Sequence, residues 1–309
     1  MTEQPNHDLA VVIVTWNVRE LVLTALESLY ADVDASGIKT AVYVVDSASS
    51  DGTPNAIHAR FPQVSLTVSP TNLGFSAGNN LAIRQIMAHD PPPFVYLLNP
   101  DTYTYPGATG RLIEHLKAHP RVGLVGARLE YGDHTFQHSA FGFPGLRQLW
   151  AEFFPTPGRM IEGRFNGRYP KALYERGEPF PVDFVLGATM MLPREVIGKT
   201  GMFDEAFFMY CEEIDWAWRI RKAGYDVHCV PGALLTHFSG QSTAQVRPQS
   251  VIRLWTSRLR LYRKHHAAPT VIAARLLIAA GMGGKIRQTP PGAEQDAYRT
   301  VQRLALGRA

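Results

Sequence analysis

Phe94-Val95-Tyr96-Leu97-Leu98-Asn99-Pro100-Asp101 decides how this chain is read. Five consecutive apolar residues suit a strand buried on both faces, and the run stops at a proline followed by a carboxylate. In open α/β sheets ligands bind outside the carboxyl ends of the strands, so Asp101 is delivered to where a ligand would lie. Ala41-Val42-Tyr43-Val44-Val45 ends the same way, in Asp46-Ser47-Ala48-Ser49-Ser50-Asp51-Gly52-Thr53. Two acid-tipped strands facing one crevice point to a nucleotide and a metal.

Outward from these tips, the first hundred residues alternate strand and helix patterns. Residues 9–15 read as a buried strand, and 20–30 as a helix with Val22, Leu26 and Leu29 on one face. The strand 41–45 follows. Thr53-Pro54 reads as an N-cap with proline at the first helical position, opening a helix to 61. A strand at 64–68, a helix at 78–89 and the strand 94–98, after the Pro91-Pro92-Pro93 break, complete the alternation. It predicts a parallel sheet with helices on both faces. Beyond Asp101 a helix at 107–119 and a strand at 122–125 are expected, whereas 133–181 is rich in Gly, Pro, aromatics and Arg and reads as a long functional loop. An apolar run at 184–192 precedes a helix at 212–223 closed by Gly224. A strand at 227–230 and the run 233–236 lead into His237. From about Ser250 onward the chain reads as helices, and the apolar run 271–282, interrupted by Arg275, is too short to span a bilayer and suits a packing or interfacial helix.

At 309 residues and 45% hydrophobic content, the chain can bury the core of one large or two fused domains and is not disordered. Residues 1–8 are polar without a basic n-region, so the default expectation is a cytoplasmic protein. Cys211 and Cys229 lack metal-like or redox spacing and are expected to be structural. The net charge of +4 hides an asymmetry: residues 1–249 hold 20 Lys/Arg against 25 Asp/Glu, and residues 250–309 hold 11 against 2. The basic tail is either a solvated helical face or a surface for anionic lipid or phosphate. No nucleic-acid-reading module accompanies it.

Several residues could carry chemistry. Asp46 is read as a ligand contact for a base or ribose, and Asp51 either as the same or as a turn former with Gly52. Asn72-Leu73-Gly74-Phe75-Ser76-Ala77-Gly78-Asn79-Asn80 places glycines and amides before a helix, where backbone can approach a ligand closely. Asp101 could hold a divalent cation alongside phosphate oxygens. His237, ahead of Phe238-Ser239-Gly240-Gln241-Ser242, could add an imidazole. Glu212-Glu213-Ile214-Asp215 sets three acids in the first turn of a helix, where the dipole favours the ionised state that a general base needs. An internal ion pair with Arg219 would occupy some of them.

Taken in order, Val11-Val12-Ile13-Val14-Thr15-Trp16-Asn17, Val45 to Thr53, Asn72-Leu73-Gly74-Phe75, Asn99-Pro100-Asp101, Phe203-Asp204-Glu205 with Glu212-Glu213-Ile214-Asp215, and His237 resemble the family 2 glycosyltransferases, most closely their rhamnosyltransferase-like branch. The resemblance covers roughly residues 9–242. It implies an α/β fold of GT-A type: a mostly parallel twisted sheet flanked by helices, with a Rossmann-like nucleotide-binding half. It also implies a nucleoside-diphosphate sugar donor, a divalent metal (Mg²⁺ or Mn²⁺) and inverting single displacement. A nucleotide-sugar-binding half is expected over 1–102, a metal, acceptor and catalytic half over 103–242, and a basic helical C-terminal extension over 243–309. By the same resemblance Trp16 would stack on the base, Asp46 bind it and Asp51 lie near the ribose, with Thr15, Asn17, Asn72, Gly74, Phe75, Gly78, Asn80 and Asn99 completing the donor site. Asp101 ends the segment matching the D-x-D metal motif, whose first acid is Asn99 here, and His237 is a further ligand. Glu213 falls at the catalytic Asp of the family's E-D pair, one methylene longer, so Glu212 and Asp215 stay open as the base. The acceptor would be a saccharide or lipid-linked saccharide, the sugar rhamnose among the candidates, and the tail would touch the inner face of an anionic membrane. A non-catalytic nucleotide-sugar-binding protein and a sugar nucleotidyltransferase are the alternatives. The latter should show a Gly-rich basic phosphate loop after the first strand, where Thr15-Trp16-Asn17-Val18-Arg19 stands. That segment also lacks the dinucleotide fingerprint of an oxidoreductase.

Overall fold

Strand β1 (Leu9–Thr15) is buried almost throughout, and its alternate side chains enter two different cores. The computed structural model describes residues 6–88, 91–239 and 246–308. Leu9, Val11 and Ile13 pack with Val22, Leu26 and Leu29 of α1 (Arg19–Ala35), while Ala10 and Val12 pack with Ala82, Ile83 and Ile86 of α3 (Gly74–Ala88). A strand covered on both sides must be apolar at every position, which is why these runs do not alternate. β2 (Thr40–Ser47), β3 (Ser65–Ser69) and β4 (Phe94–Leu98) join β1 in parallel, with α2 (Thr53–Arg60) between β2 and β3.

The sheet then continues through strands of mixed direction. Its second half comprises β5 (Thr102–Thr104), α4 (Ala108–Ala118), β6 (Val122–Glu130), β7 (Phe136–Gln137), β8 (Ala140–Phe141), α5 (Leu146–Phe153), α6 (Gly158–Ile161), α7 (Lys171–Glu175), β9 (Phe180–Val182), β10 (Phe184–Val185), β11 (Thr189–Pro193), α8 (Arg194–Thr200), α9 (Glu212–Lys222) and β12 (Asp226–His237). The order is β3-β2-β1-β4-β11-β6-β12-β5, with β11 antiparallel to β4 and β6. Pairing of β5 with β12 sets His237 opposite Thr102, next to Asp101.

Four local expectations change. Helix α3 begins at Gly74, so most of the supposed Gly/Asn loop is helix. Gly52, in the left-handed region at φ +84°, caps α2, and Thr53 is already helical. The apolar run 184–192 breaks into β10 and β11. The stretch 133–181 holds two-stranded pairings and short helices stitched by aromatics, among them Tyr174, whose hydroxyl accepts from the Ala140 amide at 3.0 Å.

Helices α10 (Arg247–His265), α11 (Ala268–Gln288) and α12 (Ala293–Leu306) build a third core with α5, from Leu149, Trp255, Leu259, Ala274, Ile278, Met282 and Val301. Gly281 lets α11 lie directly against the Phe153 ring, where a Cβ would collide with it.

A histidine cluster joins α4 to β12. His115 Nε2 lies 3.0 Å from His228 Nδ1, and the His119 ring stacks on His115 at 4.2 Å. Burial, aided by the charges His119 and His228 would carry, pushes His115 down to about 4. The unfolded chain takes up this proton near pH 6.5 and the folded one only near pH 4, so stability is lost as pH falls through that window. Urea midpoints measured at about pH 7 and about pH 5 should therefore separate more for the wild type than for His115→Phe. Equal separations would sink the assignment.

Candidate active site

The carboxyl ends of β1, β2 and β4 open into a cavity of about 720 Å³. Thr15, Trp16, Asn72, Gly74 and Phe75 line its first side, Asn99 and Asp101 its floor, and Glu212, Glu213 and His237 its second side. Ten of the residues singled out above, spread over more than two hundred positions, thus share one space. The cavity also gathers buried side-chain atoms without a protein partner: Thr15 Oγ1, Ser47 Oγ, Asn99 Oδ1, His138 Nδ1, Glu212 Oε2 and Glu213 Oε2. Native proteins leave few such groups, and their concentration marks a place where a ligand supplies the missing bonds.

Gly74 shows why backbone identity matters here. It sits at φ +75°, and a Cβ there would press into the Phe208 carbonyl and ring, so only glycine lets α3 start against the segment before α9. Phe75 N donates to Phe208 O at 2.9 Å and closes that seam. Tyr210 and Cys211, both non-glycine residues in the left-handed region at φ +71° and +69°, follow immediately and turn the chain into α9. Each costs about 1 kcal/mol or more of backbone strain, which the surrounding packing holds in place.

The acid pair behaves differently from the helix-dipole expectation. Burial drives Glu213 up to about 7, and burial together with the neighbouring Glu213 charge raises Glu212 well above the usual carboxylate range. Desolvation at this helix start outweighs the dipole, so both acids resist ionisation and Glu213 titrates near neutrality. Two adjacent acids separated in this way can divide roles, one neutral and one poised as a base.

Asp215 does not reach the cavity. It is fully buried and accepts from Arg219 Nε at 3.0 Å, Lys264 Nζ at 2.8 Å and His265 Nε2 at 2.7 Å. Burial alone would raise it, but hydrogen bonds from His265 and Lys264 and the Arg219 charge hold it at about 2. It is thus a poor base and a strong clamp between α9 and the end of α10. Asp215→Asn is expected to lower unfolding stability by about 3 kcal/mol, because the buried carboxylate shared by Arg219 and Lys264 is lost. A denaturation curve unchanged by the substitution would contradict the clamp.

Four further residues expected at the donor site, Asp51, Asn17, Asn80 and Gly78, lie outside the cavity lining and have partners within the protein. Asp51 accepts from Thr53 Oγ1 at 2.5 Å and from Arg19 N at 3.0 Å, capping α1 and bracing α2. Asn17 Oδ1 accepts from Ser50 N at 2.7 Å and ties the β1 and β2 tips. Asn80 bonds Phe203 N and O and Glu205, and Gly78 packs on Val14, so both serve the seat of α3. Asp46 is buried and does not line the cavity, whereas Ser47 does. Its Oδ1 accepts from Ser49 N at 2.9 Å, while Oδ2 has no protein partner.

His237 is oriented from behind. Its Nδ1 lies 3.3 Å from Gln137 Oε1, which fixes the ring so that Nε2 faces Asp101 Oδ1 at 3.4 Å. Asn99 Nδ2 is 3.5 Å from the same nitrogen, with its Oδ1 unpartnered. A carboxylate oxygen, an imidazole nitrogen and an amide oxygen gathered at one point are donor types that suit a divalent cation. Among the described residues no group of three or more His, Cys, Asp or Glu forms a closed metal cage. The donor set therefore fits a cation that completes its shell with phosphate oxygens and water. Residues 240–242, which follow His237 in the sequence argument, lie outside the described residues.

Sequence reasoning missed part of the cavity wall. Arg253 of α10 lines it, with its guanidinium 4.2 Å above the Phe208 ring. Arg168 and His138 also line it, both against Glu162. Nothing local marks them, since their relevance comes from a distant helix and an irregular segment folding over the sheet.

The architecture is the GT-A fold. A mannosyltransferase from Pyrobaculum calidifontis, PcManGT, solved with GDP-Man and Mn²⁺, superposes with a TM-score of 0.54 at 20% identity over 99% of this chain and 86% of that one. GalNAc-T7, solved with UDP, GalNAc and Mn²⁺, gives a TM-score of 0.56 at 13% identity over 75% of this chain and 43% of that one. The sequence family described as Glycosyl transferase family 2 matches residues 10–201. The N-acetylglucosaminyl-diphospho-decaprenol L-rhamnosyltransferase of Mycobacterium tuberculosis (strain H37Rv) is 31% identical over 216 residues, 66% of this chain and 68% of that protein. The low-salt glycan biosynthesis hexosyltransferase Agl10 of Haloferax volcanii is 26% identical over 223 residues, 71% of this chain and 64% of that protein. The chain belongs to glycosyltransferase family 2 and is a glycosyltransferase similar to rhamnosyltransferases.

Proposed function

We propose that this glycosyltransferase moves a hexose, rhamnose being the first candidate, from a nucleoside-diphosphate donor to a hydroxyl of a lipid-linked saccharide, with inversion. The observation that carries the reading is the meeting of Asp101, His237 and Glu213 in one cavity whose buried polar atoms await partners. The similarity to a rhamnosyltransferase acting on N-acetylglucosaminyl-diphospho-decaprenol supports this choice of sugar and acceptor.

Trp16, on the cavity wall, offers a face for the base. Asp101 and His237 would hold Mg²⁺ or Mn²⁺, which when bound neutralises charge on the departing diphosphate. Arg253 adds a fixed cation on the cavity wall. Glu213 takes the acceptor hydroxyl proton as that oxygen bonds to the anomeric carbon, while the bond from that carbon to the diphosphate oxygen breaks. Burial and the Glu213 charge raise Glu212, which disfavours two adjacent negative charges in the site.

A panel of sugar nucleotides titrated calorimetrically with Mg²⁺ or Mn²⁺, followed by transfer to a diphospho-polyprenol saccharide, tests the reading. Donor binding without transfer to any saccharide would favour the non-catalytic alternative. Formation of a sugar nucleotide from sugar phosphate and nucleoside triphosphate would favour the nucleotidyltransferase.

A further inference from the structure

We infer that the outer face of α11 is a docking surface for an anionic phospholipid bilayer, on which the protein lies without crossing. This does not depend on which acid is the base or on the identity of the acceptor. Helix α11 is long and apolar enough, by length and composition, to cross a membrane. Its inner face, however, is committed: Ala274, Ile278 and Met282 are buried in the third core. α12 is bonded along it, with Gln302 Nε2 donating to Ala279 O at 2.9 Å and Arg275 Nε donating to Ala305 O at 2.7 Å.

The opposite face is the unusual one. With about 3.6 residues per turn, Pro269, Ile272, Leu276 and Ala280 share one side. All four are exposed, Ile272 at 59% and Leu276 at 61%. Arg275 is drawn aside to α12, so this stripe carries no charge until Arg287. Leu306, 43% exposed, follows the Ala305 carbonyl that Arg275 holds and extends the apolar surface.

Charge identifies the occupant. Arg263 before the turn into α11, Arg287 at its end, and Arg303 and Arg308 at the end of α12 are exposed, and none has an ion pair with a described acid. The region 250–309 carries 11 Lys/Arg against 2 Asp/Glu. A second copy would bring two such basic rims together, which like-charge repulsion opposes. An apolar stripe with a cationic rim matches the interface of an anionic bilayer, where aliphatic side chains enter the acyl boundary and arginines meet phosphate.

Flotation of the full chain with vesicles of phosphatidylcholine alone, or mixed with phosphatidylglycerol, tests this alongside light scattering for oligomeric state. The wild type should float with the anionic vesicles only, less at high salt, and be monomeric without them. Ile272→Asp with Leu276→Asp should weaken vesicle binding about tenfold or more, with unchanged thermal unfolding and unchanged transfer to a water-soluble acceptor. Arg287→Glu with Arg303→Glu should weaken it comparably. The inference falls if the wild type ignores anionic vesicles, if the aspartate variant floats as well as the wild type, or if the wild type is a dimer that this variant dissociates.

Discussion

Glu213→Gln is expected to reduce kcat by about 10²–10⁴-fold, the range for losing a positioned general base, while donor affinity changes little. Glutamine keeps the size and the helix start but cannot take a proton. The neighbouring Glu212→Gln is expected to cost much less, because burial and the Glu213 charge both disfavour the ionised form of Glu212 and glutamine mimics a protonated acid. The pair of variants thus separates two residues that sequence alone leaves equivalent. The pH profile gives an independent reading. Burial lifts Glu213 to about 7, so kcat/KM of the wild type should climb about tenfold per pH unit below that value and flatten above it. Full activity in Glu213→Gln, or a flat profile through neutrality, would remove its role.

Asp101→Ala should abolish metal-dependent donor binding and lower transfer by about a hundredfold or more. His237 would remain held by Gln137, but one imidazole nitrogen and the Asn99 amide are a poor cation site without the carboxylate. Calorimetric titration of the donor, with and without a chelator, separates the metal contribution from base and ribose contacts. The wild type should lose affinity on chelation, and the variant should be insensitive to it. A variant that still gained affinity from Mg²⁺ or Mn²⁺ would show that the cation is held elsewhere.

The parallel half of the sheet was legible because strands buried on both faces must be unbroken apolar runs, and because Asp46, Asn99 and Asp101 follow such runs directly. The seat of α3 was not. Asn79 and Asn80 look like loop residues by propensity, yet their side chains bond backbone, Asn80 that of Phe203 more than a hundred positions away. Asp51 and Asn17 were open in sequence for a related reason: short polar side chains at strand tips can serve the turn itself as readily as a ligand. Among the three acids opening α9, only tertiary contacts decide. Lys264 and His265 draw Asp215 to the back of the helix, and no local pattern announces that partnership. The antiparallel insertion of β11 was equally hidden, since a buried run of five residues carries no mark of direction.

The clamp on Asp215 redraws the functional perimeter of the enzyme. The matched family region ends at residue 201, yet the acid-bearing helix is tied at its first turn to the last turn of α10, and Arg253 comes from the same helix. Chimeras assembled by grafting one member's sheet onto another's tail would therefore cut through the reaction centre. Exchange between relatives is best sought at the solvent-facing loops, with the terminal helices travelling as cargo of the catalytic half.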